Sequence, residues 1–483
     1  MVEINPIRPK LHLDVLSAGE LAAIQAGTLE LLERVGVRFP SERALRIFAD
    51  HGARVDMNNQ VVRLSSDLVK GALGSAPRTY ELAGRAEGTR LRLDGTSSYF
   101  GTDGCGVETL DFETGVPRAS TKEDVARMAR VADALSSIGF YWPMVSAQDF
   151  GHTAALHELE ASFNNTIKHV QSVTVIDETL AHYAIQMAEI ISGDRERMRA
   201  SPPLSALICT IAPLSQDKEA IEAAMTFAEA GIPVGFMSMP TIGSTAPATA
   251  GGALVVGNAE LVSALVLMQL VSPGAPVFYS LCASVMDPQT ADYIVGIPEK
   301  YLCNTAGIQL AHDWGVPVLA GSFGMDSPNP ATWQLGRDSV YTALMAALAG
   351  ADLAEGLGMV KASTLLVPEQ IIYDDEIYHT HRVLTAGVGT GSDDLALDVI
   401  AAVGPGGHFL GQKHTRQHIR DIWIPELSHP RIAQSDPPSP DIRQRARAKF
   451  DRILAEHNPK PLAKTIQIEL RAILKAAEQD LGT

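Results

Sequence analysis

Val234-Gly-Phe-Met-Ser-Met239 is a short apolar run that breaks into the polar loop Pro240-Thr-Ile-Gly-Ser-Thr-Ala-Pro247. An apolar stretch follows at Glu260–Val271, and a new run begins at Val277-Phe-Tyr-Ser-Leu-Cys-Ala283. A six- or seven-residue run bounded by Gly, Ser, Thr and Pro reads as a buried strand, and the longer stretch between two such runs reads as a buried helix. The same unit recurs in both directions along the chain. Eight runs result: Ser98–Asp103, Gly139–Ser146, His169–Val175, Ser205–Ala212, Val234–Met239, Val277–Ala283, Val316–Ser322 and Leu353–Val360, starting roughly thirty to forty residues apart.

Eight successive strand–helix units predict an α/β fold, a closed parallel (β/α)8 TIM barrel. An open doubly wound sheet shows the same alternation, so the count of eight carries the choice. The barrel is expected over residues 96–425. Residues 1–95 read as an N-terminal mixed helical cap. Ser17 with Glu20 three residues on starts its first helix, and a second runs from Ser41 to Ala49. A short hairpin, Arg54-Val-Asp56 with Val61-Val-Arg-Leu64, turns at Asn58-Asn59. Residues 426–483 read as a Pro- and Ser-rich linker and two C-terminal helices, Ile442–His457 and Leu462–Leu481.

The chain has 483 residues with 39 Lys and Arg against 56 Asp and Glu, a formal charge of −17. That sign argues against nucleic-acid or anionic-membrane partners, which need a concentrated basic surface. At 46% hydrophobic residues the chain can build a large core. Four scattered cysteines and no secretory segment fit a cytoplasmic protein. The apolar Leu261–Val271 is too short to cross a bilayer and reads as a buried helix.

No phosphate-binding G-x-x-x-x-G-K-[ST] is present, and Gly101–Gly106, Gly387–Gly391 and Gly404–Gly407 do not form a dinucleotide fingerprint. His414-Thr-Arg-Gln-His418 has ligand spacing but lacks the glutamate of a zinc protease, so no metal is expected there. His379 and His381 read as surface residues. Cys105 between two glycines reads as a packed thiol. The aromatics at strand ends, among them Trp142, Phe236, Tyr279 and Phe323, are either ordinary core or a cage for a quaternary ammonium.

In sequence order, several pieces carry a resemblance. They are Asn165-Thr-Ile-Lys168, Gly243-Ser-Thr-Ala-Pro-Ala-Thr249, Asn258-Ala-Glu260, Gln269-Leu-Val-Ser-Pro-Gly274, Pro298-Glu299, Leu348-Ala-Gly-Ala351, Glu369 with Asp374-Asp-Glu-Ile377, and Phe409-Leu with His414 and His418. Together the chain resembles the trimethylamine methyltransferase (MttB-type) family of corrinoid-dependent methyltransferases. The resemblance implies the same barrel and a partner corrinoid protein that presents cobalt(I), with no cofactor bound tightly to this chain. Founding members carry pyrrolysine in a loop after the seventh strand. Here Gly324–Gln334 has ordinary residues, with Pro328 near that position, which resembles the branch of glycine betaine:corrinoid methyltransferase.

The function expected is removal of a methyl group from glycine betaine or a related quaternary amine. Candidate site residues follow from their position at strand ends. Asp103, Asp149 and Asp326 are candidate catalytic acids, and Gln148, His169, Phe236, Met239, Tyr279 and Phe323 are candidate substrate contacts. Glu369 and His414 join the catalytic set on the resemblance. A homo-oligomer is expected. The rival readings are a methylamine-binding sensor or scaffold and a metal-dependent barrel hydrolase.

Overall fold

The computed structural model describes residues 3–104, 106–321, 326–429 and 441–482. Eight parallel strands form one sheet: β1 (Tyr99–Thr102), β2 (Ile138–Tyr141), β3 (His169–Ser172), β4 (Leu204–Cys209), β5 (Val234–Ser238), β6 (Val277–Leu281), β7 (Leu319–Gly321) and β8 (Leu353–Leu357). β1 pairs with both β2 and β8, and a parallel bridge between Tyr279 and Val318 brings β6 to the segment leading into β7. The sheet therefore comes round on itself as a barrel. Each strand is followed by a major helix: α1 (Lys122–Ala134), α2 (Ala154–Asn165), α3 (Glu178–Ser192), α4 (Lys218–Ala230), α5 (Ala250–Val271), α6 (Pro298–Trp314), α7 (Trp333–Leu348) and α8 (Gln370–Ala386). The eight expected strands are all present, each shorter than its apolar run. The runs extend into apolar loops that leave the sheet.

Alternation along each strand sends one set of side chains to the barrel axis and the other to the helices. Tyr99, Phe140, Leu207, Phe278, Leu319 and Leu353 form the inner cluster. Large rings on one strand are accommodated by glycine on the next. A Cβ on Gly101 would lie 2.3 Å from the Phe140 ring, and one on Gly235 2.0 Å from the Phe278 ring. Among the described residues the interior is thus a packed core with no free bore.

The N-terminal end of the barrel is closed by a hairpin of Tyr80–Ala83 and Arg90–Leu93, whose Leu82, Leu91 and Leu93 are fully buried in the inner cluster. The Tyr80 hydroxyl donates to the carbonyl of Val277 at the start of β6, at 3.1 Å. Ahead of this hairpin, helix Ala18–Arg34 starts at Ser17 with the reciprocal Glu20 cap, and Arg54–Asp56 pairs antiparallel with Val61–Arg63.

α5 runs 22 residues and is long and apolar enough to cross a membrane, longer than the apolar run alone suggested. It is instead packed between the N-terminal helices and strands β5 and β6, buried almost throughout. Its Asn258 and Glu260 are internal polar anchors. Asn258 donates to Gln25 and Thr28 and accepts from Tyr279 and Trp314, all at 2.9–3.2 Å. Glu260 accepts from Thr210 (2.6 Å), Ser238 (2.7 Å) and the Leu214 N–H (2.8 Å), holding the loops after β4 and β5.

Two further helices, α9 (Ile442–Glu456) and α10 (Lys464–Leu481), lie outside the barrel. α9 packs on α1 and α8, and α10 on α3. His381, expected at the surface, is buried in α8, where burial lowers its pKa to about 4. Its ring lies on the inward face of the helix, which also carries the buried Asp374 and Asp375.

Candidate active site

The inward-pointing residues at the C-terminal ends of the strands frame a cavity of about 250 Å³. Asp103, Trp142, Val173 and Cys282 directly follow β1, β2, β3 and β6, Met239 directly follows β5, and Cys209, Met237 and Glu355 lie on β4, β5 and β8. Tyr293 and Val295, from the loop after β6, and Lys300 in the first turn of α6 complete the wall.

Residues 362–364 lie over one side. They belong to the connection between the antiparallel segments Met359–Val360 and Leu365–Leu366, and Lys361, Ala362 and Ser363 all have φ near +50° to +64°. Three successive side-chain-bearing residues in the left-handed region are costly, of order 1–2 kcal/mol each. That strain buys placement: Ser363 Oγ donates to Asp103 Oδ2.

Asp103, Glu355 and Lys300 are the charged groups of the wall, and all three are buried. Burial raises the Asp103 pKa to about 6, against the opposing effects of the Ser363 hydroxyl, the Gly104 N–H at 2.8 Å and the Lys300 charge. Burial also drives Glu355 well above the carboxylate range, and the Asp103 charge drives it further. At neutral pH the two acids together carry less than their full negative charge. The thiols do not ionise: burial pushes Cys209 up to about 11 and also raises Cys282. Neither is set up as a nucleophile.

Of the residues expected from sequence, Asp103 and Met239 line this cavity, with Met239 37% exposed at its rim. Phe236 and Tyr279 do not. They alternate outward into the helix layer, where both are fully buried and the Tyr279 hydroxyl donates to Asn258. His169 begins its strand and so lies at the opposite end, bonded to the Ala83 carbonyl (3.0 Å) and Ser205 (2.9 Å), with its pKa lowered to about 4 by burial. Gln148 donates to the Val107 carbonyl and to Ser120. Asp149 accepts the Lys122 N–H at 2.9 Å, at the start of α1. Asp326 accepts from the Val295 and Gly296 N–H groups at 3.0 and 2.8 Å, bracing the loop that carries Val295 into the wall.

Glu369, buried ahead of α8, pairs with Arg443 of α9 at 3.0 Å, and His414 bonds to the Asp393 carbonyl at 2.9 Å. Neither borders the cavity. Phe323 lies outside the described residues. The wall residues missed were Glu355, Lys300, Tyr293 and Ser363. Glu355 did leave a signal, being an acid inside the apolar run Leu353-Ala-Glu-Gly-Leu357 at the same parity as Leu353. The other three sit on loops and a helix start, where periodicity says nothing.

The profile of the trimethylamine methyltransferase family matches residues 3–482. A trimethylamine methyltransferase of Desulfitobacterium hafniense is 34% identical over 96% of this chain and 94% of its own length. A glycine betaine methyltransferase of the same species is 30% identical over 99% of this chain and all of its own length. The crystal structure of the Methanosarcina barkeri monomethylamine methyltransferase superposes with a TM-score of 0.48 at 10% identity, covering 90% of this chain and 94% of that one.

Proposed function

The chain belongs to the trimethylamine methyltransferase family of corrinoid-dependent methyltransferases, and from that premise we propose that it takes a methyl group from a betaine, a small quaternary ammonium zwitterion, for transfer to a partner corrinoid protein. The observation that carries the substrate reading is the charge layout of the mouth. Two buried acids and one buried lysine share a small cavity with Trp142 and Tyr293. An ammonium fits against the acids and ring faces, and a carboxylate against Lys300. Each ring contact is worth about 0.5–2 kcal/mol.

The cavity is far smaller than a corrin macrocycle, so the ring stays on the partner's side of the rim near Met239. When bound there, the corrinoid supplies a cobalt(I) nucleophile able to accept the methyl group. A tetraalkylammonium leaves as a neutral amine and needs no general acid, which agrees with a mouth whose thiols stay protonated. The chain's own task is to orient one N–CH₃ bond toward the rim, and such positioning can account for several kcal/mol of the barrier. The substrate's positive charge fades during transfer. Acids held partly neutral grip the ground state less tightly than two full carboxylates would, which favours turnover.

Three free thiols among the described residues, Cys209, Cys282 and Cys303, support a reducing compartment such as the cytoplasm. The test is methylation of the reduced cognate corrinoid protein by the purified chain, followed in the visible spectrum. Glycine betaine should support transfer at least a hundredfold faster than trimethylamine. Equal or faster transfer from trimethylamine overturns the substrate reading.

A further inference from the structure

Residues 386–426, which continue from the end of α8, contain no buried residue. Their three short helices, Ser392–Leu395, Leu397–Val403 and Lys413–His418, bury nothing. A segment without a core of its own needs another source of order, and a bound metal ion is one that small, poorly buried units use.

His414 and His418 lie one turn apart on the last of these helices, with ring centroids 4.3 Å apart. Both present Nε2 to one residue. His418 Nε2 is 3.0 Å from Asp393 Oδ2, and His414 Nε2 is 2.9 Å from the Asp393 carbonyl and 4.0 Å from its Oδ1. The three ligand atoms all lie within 4.8 Å of one another, so small side-chain rotations bring them to a common centre at ordinary metal–ligand distances of about 2.0–2.2 Å. Behind its ring, His418 Nδ1 is 3.5 Å from Asp421 Oδ2. With the ion on Nε2, the His418 Nδ1–H would face that carboxylate, the arrangement by which carboxylates orient metal-bound imidazoles.

We propose that Asp393, His414 and His418 bind one divalent ion of the zinc class, clamping the turn at Asp393 to helix Lys413–His418 with Asp421 as the positioning residue. Two imidazoles and a carboxylate suit Zn²⁺ or Co²⁺ better than Mg²⁺ or Ca²⁺, which prefer all-oxygen sets. The ion takes the place of the proton that His414 Nε2 shares with the Asp393 carbonyl. The role is structural and separate from the methyl-transfer site.

The experiment uses the tag-free full chain, stripped with EDTA and titrated with Zn²⁺ by calorimetry and with Co²⁺ by its visible absorption. One equivalent should bind with a micromolar or tighter Kd, at least tenfold weaker in His414→Gln, His418→Gln or Asp393→Asn. Zn²⁺ should also slow proteolysis between residues 386 and 426 in the parent chain and not in the His414→Gln/His418→Gln double variant. These side chains are at least partly exposed, so the variants keep the barrel, which far-UV circular dichroism verifies. Absence of stoichiometric binding, or binding unchanged in the double variant, overturns the proposal.

Discussion

The carboxyl of Glu355, on the last barrel strand, is pushed toward its protonated form by burial and then by the charge of Asp103, which directly follows the first. Both acids are held above the ordinary carboxylate range by burial, Asp103 at about 6. The folded chain therefore retains a proton on Asp103 that the unfolded chain releases near pH 4, and the unliganded protein loses stability as pH rises from about 4 to about 6. A bound ammonium runs the other way, because it favours the ionised acids. Betaine affinity should rise about tenfold from pH 5 to pH 7, measured by calorimetry. Ser363→Ala, which removes a hydrogen bond to the charged form of Asp103, should move the midpoint to higher pH.

In the proposed binding mode Lys300 meets the carboxylate end of the betaine and not the ammonium. Lys300→Met keeps the buried stem and removes the charge. Affinity for glycine betaine should fall at least tenfold, about 1.4 kcal/mol, while affinity for tetramethylammonium, which has no carboxylate, should hold or increase. Parallel titrations with the two ligands check this. Equal losses for both would remove Lys300 from the carboxylate role.

Gly104 sets the position of Trp142. A Cβ there would lie 2.1 Å from the indole Nε1 and 2.6 Å from the Pro143 carbonyl, so Gly104→Ala must shift the ring or the backbone. The expected result is a loss of roughly 1–3 kcal/mol in stability together with a raised KM for betaine, read by thermal melts and steady-state kinetics. Gly88→Ala meets no atom within 4 Å, so any loss there comes from its φ of +85° and separates left-handed strain from the crowding at Gly104.

Arg443→Ala leaves the buried Glu369 carboxylate without its partner and loosens α9 from α8. Urea denaturation should report a loss of about 1.5–3 kcal/mol. Glu369→Gln/Arg443→Met, which removes both charges, should recover part of it. Methyl transfer should be largely kept in the double variant, because neither residue borders the cavity.

The barrel was legible because eight apolar runs with turn-forming ends leave few other ways to bury them. The site was only half legible. Strand ends point to the rim where the cavity lies, which finds Asp103 and Met239, but reaching the wall also needs parity. Phe236 and Tyr279 occupy the outward register one residue away from Met237 and Phe278. His169 marks a strand start, and strand starts face the floor. Asn258 and Glu260, among the pieces that carried the resemblance, hold the N-terminal helix and the ends of two strands, so a residue picked out by resemblance can be an internal strut. Lys300 and Tyr293 are brought to the wall by tertiary folding of segments that carry no period.

Because the packed interior, with Leu82, Leu91 and Leu93 beneath it, seals the cylinder below the cavity, whatever enters at the mouth must leave by the mouth. In the proposed reaction the amine must load before the corrinoid protein seats itself, and the demethylated product waits until that protein withdraws. Such a dead-end chamber imposes compulsory-order kinetics: excess corrinoid protein should inhibit by capping empty chambers, and raising the amine concentration should relieve it.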